Sequence, residues 1–385
     1  MTFKELKISG PVLRALLEKE YEVPTPIQEQ TIPAAKAGRD ILGIAQTGTG
    51  KTAAFAIPII DRLMEKQSAK GAKRPIKALI VTPTRELAIQ IDDSFTDYAK
   101  HTPLRHTVIF GGVNQNPQTK TLAGGVDILT ATPGRLLDLI GQGFISLDSV
   151  EEFVLDEADR MLDMGFIHDI RKILPLLPEK KQTMLYSATM PAEIAEISNK
   201  LLHQPLKIDV SPERTAVFDA IEQEVFFVEK PEKPALLVNL LNEKKDKSVL
   251  VFSRTKHGAD KIARSLNKQQ IVCEAIHGNK SQNARQKALN DFKTGKTRII
   301  IATDIAARGI DINNLGLVIN YDMPDVAETY VHRIGRTGRA GNTGLAFTFC
   351  TEDDRQMLKD IQKLTGRKLD LAQWQTQKGN SQLHP

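Results

Sequence analysis

Two short stretches of the 385-residue chain hold residue types suited to phosphate chemistry. The first is Ala45-Gln46-Thr47-Gly48-Thr49-Gly50-Lys51-Thr52. Glycines let backbone N–H groups come close to phosphate oxygens, and a helix starting just after them adds partial positive charge. Gln46, Thr47, Gly48, Thr49 and Gly50 would form the cradle. Lys51 would reach the β and γ phosphates of a nucleotide, and the Thr52 hydroxyl would hold Mg²⁺. The usual first glycine is replaced by Ala45, while Gly48, Gly50, Lys51 and Thr52 fit the pattern. The plainer alternative is a glycine-rich turn with a solvated lysine. The second stretch is Val154-Leu155-Asp156-Glu157-Ala158-Asp159. It reads as a buried strand ending in carboxylates. Asp156 can hold Mg²⁺ through its water shell, and Glu157 can position and activate an attacking water. Four residues of this kind recur by chance. Their place at a strand end, 105 residues after Lys51, is what gives them weight.

Such residues need a scaffold that brings them together. Short apolar runs at 40–44, 78–82, 107–110, 127–130, 153–155, 184–186 and 206–210 alternate with helical patterns such as 85–99 and 192–202. This alternation predicts βαβ units and a mainly parallel sheet. In open sheets of that kind ligands bind at the carboxyl ends of the strands, which places the two motifs side by side. A second series follows, with strands expected at 224–228, 248–252, 272–276, 298–302, 317–320 and 345–349 and helices such as 258–267 and 283–293. The stretch 210–220 contains Ser211-Pro212-Glu213-Arg214 and little periodicity. We therefore expect a first domain over 1–210, a linker at 211–217, a second domain over 218–370 and a polar tail at 371–385.

Bulk properties agree with two ordinary domains. Hydrophobic residues make up 41% and charged residues 26%. The net charge of +5 leans weakly toward polyanion partners. Cys273 and Cys350 lie far apart in apolar segments, outside any metal-ligand spacing, which predicts buried free thiols. No signal-peptide pattern opens the chain, and the apolar run 53–60 is far short of a bilayer span. A cytoplasmic protein without a membrane segment is expected, with a monomer as the default.

The second half has its own cluster, His332-Arg333-Ile334-Gly335-Arg336-Thr337-Gly338-Arg339. Three arginines spaced with glycines do not suit a core element, and a solvated basic helix would not need the glycines. With Val23-Pro24-Thr25-Pro26-Ile27-Gln28 and Ser187-Ala188-Thr189, these motifs make the chain resemble a DEAD-box ATP-dependent RNA helicase over nearly all of residues 1–370. The bacterial RhlE-like branch is the sub-assignment.

The resemblance implies two tandem RecA-like domains, each a mainly parallel sheet flanked by helices. It implies ATP and Mg²⁺ as cofactors. Gln28 would read the adenine edge with its amide, and Phe3 would stack on the base. Where the family often has glycine before the aromatic at Tyr21, this chain has Glu20, and a local turn change is expected. Ser187 and Thr189 would couple the acidic motif to domain closure. Arg336 and Arg339 would be arginine fingers at the γ-phosphate, and His332 would link to the acidic and coupling motifs. In Thr303-Asp304-Ile305-Ala306-Ala307-Arg308-Gly309-Ile310-Asp311, Asp311 would accept from the ribose hydroxyl and Arg308 would organise the acidic motif and its water. A plain βα loop with Asp304 as its N-cap is the alternative.

RNA contacts are implied at Pro83-Thr84-Arg85, Gly111-Gly112, Thr132-Pro133-Gly134-Arg135, Arg254-Thr255, Gln282, Arg285 and Thr303. Backbone N–H groups, hydroxyls and arginines there suit phosphate oxygens. Aromatics are only 5% of the chain, which argues against base stacking and for grip on the sugar–phosphate backbone. Ribonucleoprotein partners fit this reading. The rival readings are a DNA translocase of the same superfamily, a non-catalytic RNA clamp, and a tail-driven interaction protein. The adenine-reading motif and the Asp-Glu-Ala-Asp spelling disfavour the first. Intact Lys51, Glu157, Arg336 and Arg339 disfavour the second, and the short tail the third.

Overall fold

The computed structural model describes residues 1–46, 48–65, 74–210, 221–307, 315–338 and 343–372. The chain divides into two compact units, Met1–Ser211 and Pro212–Pro385. The expected linker at 211–217 lies outside the described residues, as do most of the expected tail residues.

Unit 1 is built on seven strands: β1 (Ile41–Ile44), β2 (Ala78–Val81), β3 (His106–Ile109), β4 (Ile128–Ala131), β5 (Glu152–Leu155), β6 (Gln182–Ser187) and β7 (Leu206–Asp209). They pair in the order β3-β4-β2-β5-β6-β1-β7, all parallel. Central strands such as β2, β4, β5 and β6 are buried along their whole length. That explains why they read as unbroken apolar runs instead of alternating ones. Helices cover both faces, giving one core around Phe55, Ile80 and Val154 and another around Leu79, Phe153 and Leu185.

Unit 2 repeats the plan with β8 (Ile221–Phe227), β9 (Val249–Phe252), β10 (Glu274–Ile276), β11 (Ile299–Ala302), β12 (Leu317–Asn320), β13 (Gly344–Cys350) and β14 (Asp370–Ala372). Their order is β10-β11-β9-β12-β13-β8-β14, again all parallel. Two seven-stranded parallel sheets flanked by helices are tandem RecA-like domains. The expected sheet of unit 2 lacked β14. Its three residues pair with Glu224–Phe226 of β8, so Leu371 and Ala372 belong to a strand rather than a tail. The segment is too short and too exposed to show a pattern in the sequence.

Both cysteines are buried and free. Burial pushes the Cys350 thiol up to about 11 and the Cys273 thiol to about 12, so neither is a nucleophile at neutral pH. Among the described residues no helix is long and apolar enough to cross a membrane.

Glu20 gives a local surprise. The helix Gly10–Glu18 closes with Glu20 N–H donating to Leu17 O at 3.0 Å and Tyr21 N–H donating to Leu16 O at 3.0 Å. This closure needs a left-handed residue, and Glu20 takes φ 58°. Glu20 therefore holds a left-handed position in the turn at a backbone cost. Replacing Glu20 with glycine should stabilise unit 1 by about 1 kcal/mol, seen as a higher urea midpoint with an unchanged m-value. An unaltered or lower midpoint would contradict the strain.

Candidate nucleotide and nucleic-acid site

Because every strand of unit 1 runs the same way, each carboxyl end opens at one sheet edge. β1 leads into the glycine-rich loop and the helix Lys51–Glu65, whose first residue is Lys51. Gly48 has φ 87° and Gly50 φ 94°, conformations that favour glycine. At Gly50 space also matters, because a Cβ there would strike the Gln28 side-chain amide. Ala45 needs no such freedom. It continues the strand, donating its N–H to Ser187 O at 3.0 Å, so the departure from the glycine pattern costs nothing locally. Thr47 lies outside the described residues.

Residues 25–28 brace this loop. The Thr25 hydroxyl donates to Thr49 O at 2.8 Å and the Gln28 amide nitrogen to Gly50 O at 3.1 Å. Gln28 Oε1 accepts from Thr25 N at 2.9 Å. An amide oxygen has two lone pairs and its nitrogen two hydrogens. Gln28 thus supports the loop and keeps one donor and one acceptor site in principle. Phe3 does not meet its expected role in this arrangement. Its ring is 2% exposed and packed in the core with Leu6, Val12 and Leu16, leaving no face to stack on a base. An aromatic near a chain start reads alike whether it packs or stacks.

Lys51 is 6% exposed. Its Nζ donates to Ala45 O at 3.0 Å and stands 4.0 Å from Asp156 Oδ1. Asp156 and Glu157 follow β5 and are 2% and 3% exposed. Burial pushes the Asp156 carboxyl up to about 6, with Lys51 pulling it back and the Glu157 charge adding to the rise. Glu157 adopts left-handed φ 55° and ψ 51°, which starts the helix Ala158–Asp163 and turns the motif sharply. Its carboxylate is paired with Arg160, a residue the motif reading passed over.

Asp159 ties the acidic motif to the end of β6. Its Oδ2 accepts from Thr189 N at 2.9 Å and from Thr189 Oγ1 at 3.0 Å. Its own N–H donates to Ser187 Oγ at 3.1 Å, and that hydroxyl donates to Thr189 O at 2.7 Å. The expected link between Ser187, Thr189 and the acidic motif is thus a closed set of hydrogen bonds.

The remaining motifs of unit 1 lie on the other half of the edge. Pro83, Thr84 and Arg85 follow β2, Gly111 and Gly112 follow β3, and Thr132, Pro133, Gly134 and Arg135 follow β4. Thr84 caps its helix by accepting from Leu87 N at 3.3 Å. The Arg85 guanidinium lies over Gly112, where a Cβ would collide with it. Arg135 donates to Val113 O at 3.1 Å. Three loops distant in sequence therefore form one surface along β3, β4 and β2.

In unit 2 Arg254 and Thr255 follow β9, Gln282 and Arg285 open the helix Gln282–Lys293 after β10, and Thr303 follows β11. Again these three strands adjoin. Thr255 caps the helix Lys256–Lys268, accepting from Gly258 N at 3.0 Å. Arg254 suits a phosphate contact least. Its guanidinium is engaged by Met323 O at 3.1 Å and by Asp325 and Asp354.

The arginine-rich motif lies on the helix Ala327–Ile334 and the turn after it. His332 is exposed, and Arg336 is 8% exposed. Arg308, Asp311 and Arg339 lie outside the described residues. The organising residue here is Arg333, which carried no role in the sequence reading. It is 2% exposed. Its Nε and Nη2 donate to the two Asp304 carboxylate oxygens at 2.6 and 2.7 Å. Its Nη1 donates to Asn320 Oδ1 at 3.1 Å and Asp322 O at 2.7 Å, and the guanidinium lies 4.9 Å from the Phe252 ring centroid. The signal was a bidentate partner far off in sequence, which no local pattern reveals.

Two α/β units of one topology, each gathering its polar motifs at one sheet edge, define a nucleotide-driven motor of tandem RecA-like domains. Comparison with known proteins gives the family. A DEAD/DEAH box helicase family model matches residues 25–197, and a helicase conserved C-terminal domain model matches 232–341. The chain is 41% identical over 370 residues to the DEAD-box ATP-dependent RNA helicase CshA of Bacillus subtilis (strain 168), covering 96% of this chain and 74% of that protein. It is 42% identical over 369 residues to CshA of Geobacillus kaustophilus (strain HTA426), covering 96% and 78%. Saccharomyces cerevisiae Dbp5 bound to RNA and ADP BeF3 matches with a TM-score of 0.82 at 29% identity, covering 96% of this chain and 95% of that one. A DEAD box protein from the hyperthermophile Methanococcus jannaschii is 40% identical with a TM-score of 0.55, covering 97% and 99%. This chain belongs to the DEAD-box family and is an ATP-dependent RNA helicase.

Arg333→Met would leave Asp304 without its guanidinium partner. It should destabilise unit 2 by about 3 kcal/mol, as expected for breaking a buried pair, measured by chemical denaturation. A loss within about 1 kcal/mol, the range of an exposed pair, would remove the Asp304 pair from its central place.

Proposed function

We propose that the chain couples RNA-stimulated ATP hydrolysis and interdomain closure to local, sequence-independent RNA duplex unwinding or ribonucleoprotein remodelling. One observation carries the reading. The sheet order of unit 1 divides its carboxyl edge, with the RNA-type motifs along β3-β4-β2 and the phosphate-type motifs along β5-β6-β1. The two halves meet where β2 pairs with β5. A change at one is then felt at the other through adjoining strand ends.

In this scheme residues 1–210 and 218–370 act as the two domains. The glycine-rich loop, including Gln46, Thr47, Gly48, Thr49 and Gly50, holds the triphosphate, with Gln28 at the adenine edge. Lys51 exchanges its hold on Ala45 O for the β and γ phosphates. Thr52 and Asp156 are the residues to hold Mg²⁺, which when bound neutralises phosphate charge. The donor set fits that ion. Among the described residues no group of three or more acidic, histidine or cysteine side chains could form a closed metal cage. Asp156 is a buried carboxylate 4.0 Å from Lys51, the residue before Thr52, and a carboxylate with a hydroxyl suits a cation that takes its other ligands from phosphate and water. Glu157 orients the attacking water and takes its proton once the Arg160 pair loosens. Arg336 and Arg339 bring fixed positive charge to the transferred phosphoryl group. Arg308 helps place the water, Asp311 takes the ribose, and His332 with Ser187 and Thr189 relays closure.

The RNA bound to Saccharomyces cerevisiae Dbp5 supports RNA as this chain's polymer. The residues proposed to grip its backbone are Pro83 to Arg85, Gly111, Gly112, Thr132 to Arg135, Arg254, Thr255, Gln282, Arg285 and Thr303. A monomer in the cytoplasm is the proposed setting. The RhlE-like branch rests on the sequence resemblance, while the relatives named above are CshA helicases.

The deciding measurement is ATP turnover with single-stranded RNA, with DNA of the same sequence, and with neither. RNA should stimulate and DNA should not. Glu157→Gln should cut RNA-stimulated turnover by about 10²-fold or more, and a variant that keeps full turnover would rule out its role with the water. Acid should also weaken nucleotide binding. Mg²⁺-nucleotide favours the ionised Asp156, whose carboxyl is raised to about 6 without ligand. Binding should therefore release a proton near pH 6, and affinity should fall as pH drops through that value. Calorimetry in buffers of different ionisation enthalpy will detect the proton. No release across pH 5–7 would show that Asp156 does not titrate with binding.

A further inference from the structure

Beyond the residues that touch RNA in that proposal, unit 2 contains a buried histidine that the scheme does not use. His277 ends the run from β10 and is 2% exposed. Its Nδ1 is buried with no hydrogen-bond partner. Its Nε2 stands 3.1 Å from Asp260 Oδ1, at ion-pair distance though without full hydrogen-bond alignment. Burying an imidazole nitrogen without a partner is unfavourable. Packing alone would favour an apolar side chain here, so the imidazole has another reason to be present.

The reason lies in what surrounds it. Asp260 sits on the helix Lys256–Lys268, and the same Oδ1 that faces His277 also takes Lys280 Nζ at 3.0 Å. The Lys280 N–H donates back to His277 O at 3.0 Å. Lys256 Nζ donates to Asn279 Oδ1 at 3.1 Å. His277 and the four-residue loop 278–281 after it are therefore strapped to one helix at three points, through His277, Asn279 and Lys280. At its end Ser281 caps the helix Gln282–Lys293, its Oγ accepting from Ala284 N at 3.3 Å. The first turn of that helix carries Gln282, 8% exposed, and the half-buried Arg285. The Asp260 carboxyl is held below the usual range, first by His277 and then, against burial, by Lys280, as expected for a charged anchor.

We infer that Asp260 and His277 are positioning residues for RNA: together they fix the loop 278–281 so that Gln282 and Arg285 meet the sugar–phosphate backbone at a set place. Neither touches the nucleic acid. The contact needs a proton on Nε2, which both the Nε2–H tautomer and the imidazolium carry, and Asp260 Oδ1 is the shared anchor for His277 and Lys280. The inference rests on the reading of Gln282 and Arg285 as RNA contacts.

The test uses the full chain and measures RNA-stimulated ATP turnover against single-stranded RNA concentration and salt. His277→Phe fills the space without the bond, and His277→Gln returns an N–H near the place of Nε2. The Phe variant should raise the half-saturating RNA concentration about tenfold, the scale of one lost hydrogen bond to a charged group. Turnover at saturating RNA and the KM for ATP should stay unchanged, and the Gln variant should recover most of the loss. Asp260→Ala, which also frees Lys280, should lose at least as much as His277→Phe, and the double variant should be no worse than Asp260→Ala alone, because the His277 contact is then already gone. The salt slope of RNA affinity should not change, whereas a lost phosphate contact lowers it by about 1. A lower slope in His277→Phe would make His277 a direct contact and overturn the inference. So would equal losses in the Phe and Gln variants, or a fall in turnover and ATP affinity along with RNA affinity. If His277→Phe does not fold, Asp260→Asn, which keeps an acceptor but loses the charge, carries the same readouts. Arg285→Ala separates the two levels. If it leaves RNA affinity and salt slope intact, the RNA reading of this helix fails. If it weakens binding while the His277 and Asp260 variants do not, only the positioning role fails.

Discussion

The constraint on which the rest depends is the direction of the strands. When neighbouring strands run parallel, each must be followed by a crossover that returns the chain to the other end of the sheet. Every loop that leaves a carboxyl end therefore opens at one edge. That edge is where backbone N–H groups at helix starts and polar side chains can meet a ligand without breaking the apolar layers below. Both units obey this rule in every strand pair described. The loop after β1, the acidic turn after β5 and the hydroxyl turn after β6 are neighbours because β1, β6 and β5 are neighbours. The loops after β2, β3 and β4 are grouped for the same reason.

Within that frame the acidic turn is the costly part. Lys51, Asp156, Glu157 and Arg160 are charged and nearly fully buried, and Glu157 is held in a left-handed conformation that a larger side chain rarely adopts. Water would solvate these groups better than the protein interior does. The arrangement persists because each carboxylate faces a cation, Lys51 at Asp156 and Arg160 at Glu157, and because Asp159, Ser187 and Thr189 close a hydrogen-bonded ring around the turn. A site of this kind is poised to prefer a charged ligand. The raised Asp156 carboxyl is the mark of its burial, which Lys51 offsets only in part.

Unit 2 solves a related problem with one guanidinium. Arg333 spans Asp304 after β11, Asn320 and Asp322 around the end of β12, and the Phe252 ring at the end of β9. It fixes three strand ends with a planar fork that lysine could not reproduce. The motif around it was read for Arg336 and Arg339, and the arginine between His332 and Ile334 proves to be the structural one. The same lesson holds for Arg160 and for the Asp260–His277 contact. Each pairs across a distance or a turn that spacing does not mark.

How far the sequence goes follows from what each signal encodes. Buried parallel strands such as β2, β9 and β11 leave continuous apolar runs, and of the strands among the described residues one was not expected from the sequence. The missing one, Asp370–Ala372, is a three-residue edge with little buried surface to shape its composition. The phosphate loop was legible because φ values near 90° at Gly48 and Gly50 exclude most other residues. Ala45 looked irregular only until its strand-like hydrogen bond was seen. Phe3 could not be assigned, since packing and stacking ask for the same side chain. By itself, then, the sequence determined the fold class, the family and the residue types at the phosphate site, because local backbone demands and apolar runs are written in adjacent positions. Tertiary structure alone decided that Gln28 braces Gly50, that Glu157 is paired with Arg160, that Phe3 lies in the core and that Arg333 anchors unit 2. Those outcomes depend on which strand ends become neighbours, and strand order is set by the packing of the whole sheet.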